Sequence, residues 1–205
     1  MQPVERGFLV LADISGFTAF VTTTELEHGA EVTGVLLGEV MKALSPPLEI
    51  QELEGDAVFA LAPEGRGGAD APLLATLGRA FQAFKHRQRA LAQDDSCECG
   101  ACRGTAGLDL KLIVHYGSFL RQAVGGRPRV AGPDVVLAHQ LLKNRIAGRA
   151  YALLTDPAAD RLGIDPLLAG LDRETEQLPH FGEVGYVTVP LGADAADLAS
   201  LSAAA

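Results

Sequence analysis

Tryptophan is absent from the 205 residues, aromatic side chains make up 5%, and there are only two methionines and three cysteines. An odd set of three cysteines is not the disulfide framework that staples a small secreted fold. Basic residues are also in short supply. Lys and Arg number 17 against 26 Asp and Glu, a formal net charge of −9 with a pI near 5.0. Neutralising a phosphate backbone needs clustered Lys and Arg, so nucleic acid is not an expected partner. No apolar run approaches the ~20 residues of a membrane span. The start, Met1-Gln2-Pro3-Val4-Glu5-Arg6, lacks the basic and apolar regions of a signal peptide. The expectation is a cytoplasmic protein with no membrane partner.

What is present is enough apolar material for a core. The chain is 48% hydrophobic and 21% charged, too apolar for disorder and long enough for one domain. Residues 1–192 read as that domain, and the alanine-rich stretch 193–205 as a frayed helix or tail.

Gly7–Asp13 is an apolar run ending in a carboxylate, which predicts a buried strand. Ser15 is a candidate N-cap for the first of two helices, near 17–26 and 30–44; Pro46-Pro47 ends the second. Pro47–Leu53 and Ala57–Ala62 flank Glu54-Gly55-Asp56 and predict a β-hairpin. A helix is expected over 72–92. Leu108–Tyr116 alternates as a strand, with Asp109, Lys111, Ile113 and His115 on one face. A hairpin-like stretch at 118–130 leads to a helix near 134–146, a strand at 151–155, a small helix and a last strand at 184–190. The order β-α-α-β-β-α-β-β-α-β-β predicts an α+β fold with a ferredoxin-like split βαβ core, its antiparallel-dominated sheet carrying helices on one face.

All three cysteines fall within six residues, Cys97, Cys99 and Cys102, in an insertion loop at 94–107. Three thiolates suit Zn or an Fe–S cluster, and a structural zinc takes a fourth ligand. His86 is one candidate for it, Asp94 and Asp95 weaker ones. A Cys99–Cys102 redox pair and plain reduced thiols are the alternatives. His115 is placed by alternation away from the core, and it and His139 read as structural hydrogen-bonding residues. His28 and His180 read as loop residues. No nucleophile triad and no P-loop is present.

Asp13 at a strand end and Asp56 at a hairpin tip meet at one sheet edge if their strands are neighbours. Two close carboxylates need a proton or a cation between them, and hard oxygen ligands suit Mg or Mn. Turn chemistry alone also places Asp at such positions.

The run Phe8–Thr18, then Glu54–Ala60, Leu112–Gly117 and Gly132–Leu142, resembles in order four motifs of class III adenylate and guanylate cyclase domains. More closely the chain is similar to an uncharacterised bacterial branch of cyclase-like proteins, marked by Glu54-Gly55-Asp56, the cysteine cluster, His115-Tyr116-Gly117 and Ala138-His139. The resemblance implies that Asp13, Asp56 and the Ile14 carbonyl bind Mg or Mn on a nucleoside triphosphate, with amides at Gly16 and Phe17 toward phosphate. It also implies a homodimer whose sites form between head-to-tail subunits. The family's transition-state helix carries Asn and, four residues on, Arg; here these are Val136 and Gln140. Asn144, one turn beyond Gln140, with Lys143 and Arg145 beside it, is the candidate displaced substitute. The purine-selecting positions fall on Glu52 and near Arg129, and Arg129 could instead pair with Glu52 or with a phosphate. Three readings stay open: a cyclase, a degenerate binding or signalling module of that fold, and a metal or redox sensor.

Overall fold

The computed structural model describes residues 3–65, 70–94, 97, 99–192 and 196–201. At its centre is one sheet. Strand β1 (Val4–Ser15) is paired antiparallel on one side with β3 (Ala57–Pro63) and on the other with β4 (Asp109–Val124). The sheet order is β2 (Glu49–Glu54), β3, β1, β4, β6 (Tyr151–Thr155), β8 (Gly182–Pro190), β7 (Arg173–Leu178), with β5 (Arg127–Ala131) on the far end of β4. Among the described residues only β4 and β6 pair in parallel. The remaining pairs are antiparallel, and the predicted adjacency of the first strand with 57–62 is present, Asp13 facing Ala57.

β1 is buried along most of its length because both faces are covered. Its even-numbered residues, Phe8, Val10, Ala12 and Ile14, pack into a large cluster with α2 (Leu26–Leu44) and α3 (Asp70–Ala92) through Val32, Leu36, Leu77, Phe81 and Phe84. Helices α1 (Phe17–Thr23), α4 (Gly100–Gly104) and α6 (Asp156–Arg161) add Phe20, Ala101 and Ala158 on that side. The odd-numbered Leu9 and Leu11 join a second cluster with Phe59, Ile113, Tyr151 and Leu153. Over it lies a single helix, α5 (Pro133–Leu141), through Val135, Leu137, Ala138 and Leu141. Burial of apolar side chains on both faces supplies the main stabilisation.

Several expectations are corrected in detail. The N-cap of α1 is Gly16, not Ser15, which is the last residue of β1. His115 is buried, not turned away from the core, because α5 covers the face that alternation assigns to it; its ring meets the Thr155 hydroxyl at 2.8 Å and Asp134 at 3.4 Å. The insertion loop holds α4 and a 3-10 turn at Thr105–Gly107. β7, which apolar alternation does not reveal, is a largely exposed edge strand of polar residues, Arg173-Glu174-Thr175-Glu176-Gln177. Of the alanine-rich end, residues 196–201 include a short helix, α7 (Ala196–Ser200), with Leu198 buried in the large cluster; residues 193–195 and 202–205 lie outside the described residues. No helix of the described residues is long and apolar enough to cross a membrane.

Candidate functional site

β1 delivers Asp13 to its C-terminal end, between Ala57 and Lys111 in the ladder. The hairpin turn at Glu54-Gly55-Asp56 needs a left-handed step, which Gly55 takes at φ 65° without steric cost. The Ile14 amide donates to the Asp56 carbonyl at 3.2 Å, which clamps the turn against β1. Asp13, Ile14 and Asp56 therefore stand together as the sequence predicts. Burial, and then the negative charge of Asp13, hold the Asp56 carboxyl above its ordinary value of 3.8.

Lys111 is a member of this group that motif reasoning passed over. Its Nζ lies 3.0 Å from Asp13 Oδ2 and donates to the Leu142 carbonyl at 2.9 Å. Strand alternation alone places Lys111 on the polar face of its strand, and only the pairing of β4 with β1 sets it opposite Asp13. Tyr151 follows on β6, in register with Lys111. Arg149 is a further addition. Gly16, at φ +88°, opens α1, and any Cβ there would collide with the Arg149 guanidinium. Phe17, next to Gly16, packs partly buried against the large cluster.

α5 starts with Pro133 in its first turn, where the missing amide is harmless. Val136 faces out at 51% exposure. Gln140 Oε1 is buried with no hydrogen-bond partner among the described residues. Both line a groove of about 690 Å³ with Glu54, His139, Lys143, Leu178 and Pro179. His139 bridges helix and hairpin: its Nε2 is 3.1 Å from Glu54 Oε1 and its Nδ1 2.7 Å from the Val135 carbonyl.

The helix ends at Leu141, short of the expected 146, so Asn144 is not on the face of Val136 and Gln140. Its amide is engaged locally. Nδ2 donates to the Leu141 carbonyl at 2.7 Å, and Oδ1 accepts from the Ile146 amide and the Tyr151 hydroxyl at 3.0 and 2.9 Å. Arg129 of β5 forms an ion pair with Glu52 of β2, one of the two partners open to it.

The cysteines gather elsewhere, at the start of α2. Sγ atoms of Cys97, Cys99 and Cys102 and a ring nitrogen of His28 all lie within 4.8 Å of one another. His28 Nδ1 is 3.2 Å from Cys99 Sγ and 3.7 Å from Cys97 Sγ. His28 is not a loop residue as expected but sits in the first turn of α2. His86, the expected fourth partner, lies instead on α3 in a groove with Glu39, Gln82 and Arg87. Asp95 lies outside the described residues. The Cys102 amide, then His28, draw the Cys99 thiol down to about 6, while the neighbouring sulfurs push Cys102 up to about 12.

A split sheet with β1 at its centre, carboxylates at the β1 end and the β2–β3 turn, and one helix on the second face define a cyclase-like domain of the class III nucleotide cyclase fold. Solved structures agree. The guanylyl cyclase Cya2 superposes with a TM-score of 0.75 over 94% of this chain and 95% of its own, at 15% identity. The adenylyl cyclase CyaB from P. aeruginosa gives 0.68 over 95% and 98%, at 19% identity. A class III adenylyl cyclase-like ATP-binding protein from Pseudomonas aeruginosa gives 0.61 over 77% of this chain and 35% of that one, at 17% identity. Within that fold the chain belongs to the family described as "Protein of unknown function (DUF2652)", whose model matches residues 33–151. The Uncharacterized protein Rv2561/Rv2562 of Mycobacterium tuberculosis is 33% identical over 118 residues, which are 56% of this chain. The match spans about half the length of that curated relative, 53%.

Proposed function

We propose that this cytoplasmic protein binds a purine nucleoside triphosphate through Mg or Mn held by Asp13, Asp56 and the Ile14 carbonyl, and that its own α5 does not support efficient cyclisation. The observation that carries the reading is the convergence of Asp13 and Asp56 with Lys111 beside them. The donor set fits: two hard carboxylates and a carbonyl are ligands for such a cation, and the repulsion felt by Asp56 is what a cation relieves. When bound, the metal would supply charge neutralisation on the phosphates. Lys111 would hold Asp13 in place and offer a positive charge to a phosphate oxygen. Val136 has no hydrogen-bonding group for a ribose, and Gln140 brings no cation to a developing pentacovalent phosphorus. Losing such a group costs a factor of roughly 10²–10³ in rate.

A neighbour of this fold is described as an ATP-binding protein, which is in keeping with a nucleotide-binding role. Two chains arranged head to tail, as the family resemblance implies, would set α5 of one against the carboxylates of the other. A partner of the same fold with the missing Asn and Arg would restore a complete site. The test is incubation with Mn²⁺ and ATP or GTP, reading bound nucleotide and cyclic product together. Binding that disappears in Asp56→Ala, with no cyclic product, is the expected result. Cyclic nucleotide that depends on Asp56 would overturn the binding-only reading, and absence of binding would overturn the nucleotide reading altogether.

A further inference from the structure

We infer that His28, Cys97, Cys99 and Cys102 form a mononuclear zinc site that pins the loop between α3 and β4 to the first turn of α2. The three sulfurs and one imidazole nitrogen all fall within 4.8 Å of one another. Around a single tetrahedral zinc, with Zn–S of about 2.3 Å and Zn–N of about 2.0–2.1 Å, neighbouring ligand atoms stand roughly 3.5–3.8 Å apart. Of the observed His28 separations, 3.7 Å falls in that range and 3.2 Å a few tenths of an ångström short of it. Three cysteines and one histidine make a closed set of the structural type, with no position left for substrate. Thiolate and imidazole donors select zinc over the hard cations expected at Asp13 and Asp56. An iron–sulfur cluster puts several atoms between its ligands, and donors this close surround one ion.

A second set of contacts is built around the same point. The Glu25 carboxylate accepts from the Gly100 and Ala101 amides, each at 3.1 Å, and so holds the start of α4. The Cys102 amide donates to Cys99 Sγ at 3.4 Å, the kind of outer contact that orients a metal-bound thiolate. Glu25 and His28 both come from the junction of α1 and α2, one on each side of Leu26. That junction also lines a cavity of about 450 Å³ bounded by Phe17, Leu26, Gly29, Leu37 and Gly55. The zinc would therefore fix one wall of a cavity that reaches the turn carrying Asp56. The three cysteines make no disulfide, and a bridge between any two of them would leave the third thiol and His28 without a common role. The assignment is independent of whether the carboxylates bind nucleotide.

The experiment is metal analysis of the intact protein purified under anaerobic conditions and then equilibrated with Zn²⁺ against a competing chelator. About one zinc per chain is expected. His28→Ala, at an exposed ring that the fold does not need, should weaken zinc retention at least tenfold, as should Cys99→Ser. His86→Ala should retain zinc as the parent does. Co²⁺ titration of the unmodified protein gives the same answer without relying on any variant: thiolate-to-cobalt charge transfer and the intense visible bands of a tetrahedral site. Iron with labile sulfide, a metal-free disulfide, no zinc after equilibration, or full retention in His28→Ala would each overturn the assignment.

Discussion

The Asp56 carboxylate is held in a place that disfavours its charge, by burial first and by Asp13 second. A carboxyl whose pKa is raised on folding favours the folded state only while protonated. Below the ordinary value of 3.8 it is protonated in both folded and unfolded chains and adds nothing. As pH rises from 3.8 to the raised value the unfolded chain gives up the proton first, so stability falls across that window and stays at the lower level above it. Asp56→Asn should therefore raise the melting temperature at pH 7 without divalent cation, by about a degree or two because the site is half open to water. The gain should vanish near pH 3. Adding Mn²⁺ should stabilise the parent and leave Asp56→Asn unmoved, which differential scanning fluorimetry across pH reads directly. An Asn variant less stable than its parent at pH 7 would contradict the electrostatics. Asp13 and Asp56 were legible in the sequence because strand ends and hairpin tips are local features. Lys111 and His28 were not, because each is defined by what lies across a ladder or across 71 residues of chain.

Among the elements, those rich in apolar residues announced themselves. α2 follows its apolar periodicity, and β3 and β6, buried on both faces, are continuous apolar runs. β7 did not, since a largely exposed edge strand of polar residues shows no apolar alternation. α5 was read too long. Leu142 and Lys143 continue helical composition, but the Asn144 side chain takes the Leu141 carbonyl and accepts from Ile146 and Tyr151, which turns the chain toward β6. That early stop removes Asn144 from the Val136–Gln140 face. It follows that the face can be completed only at its own positions. The pair Val136→Asn with Gln140→Arg should bring Mn²⁺-dependent cyclic product to at least tenfold above the assay background at which the parent stays. Added to that double variant, Asn144→Ala should leave product formation where it is and lower stability by about 1 kcal/mol for the lost cap. Product that falls with Asn144→Ala would restore that residue to the site and contradict the geometry.

At the scale of the molecule the two faces of the sheet are unequally covered. Among the described residues, one carries all the helices but α5, and the other carries α5 alone, beside a groove in which Val136 is half exposed. A second copy laid head to tail over this face would cover Val136 and bring each α5 to the other chain's Asp13 and Asp56. It would also ask two chains of net charge −9 to approach, so the association should strengthen with salt and with the divalent cation that neutralises those carboxylates. Val136→Lys places an unpaired charge at the centre of that contact. As a half-exposed residue whose substitution opens no cavity, it should shift the stability of the single chain by no more than about 0.5 kcal/mol. Sedimentation equilibrium should show the parent as a dimer that tightens with salt and Mn²⁺, and Val136→Lys as a monomer with an unchanged melting temperature. Nucleotide affinity should fall with the dimer, since each site then loses one of its walls. A Val136→Lys protein that still sediments as a dimer would place the interface elsewhere and leave α5 facing solvent.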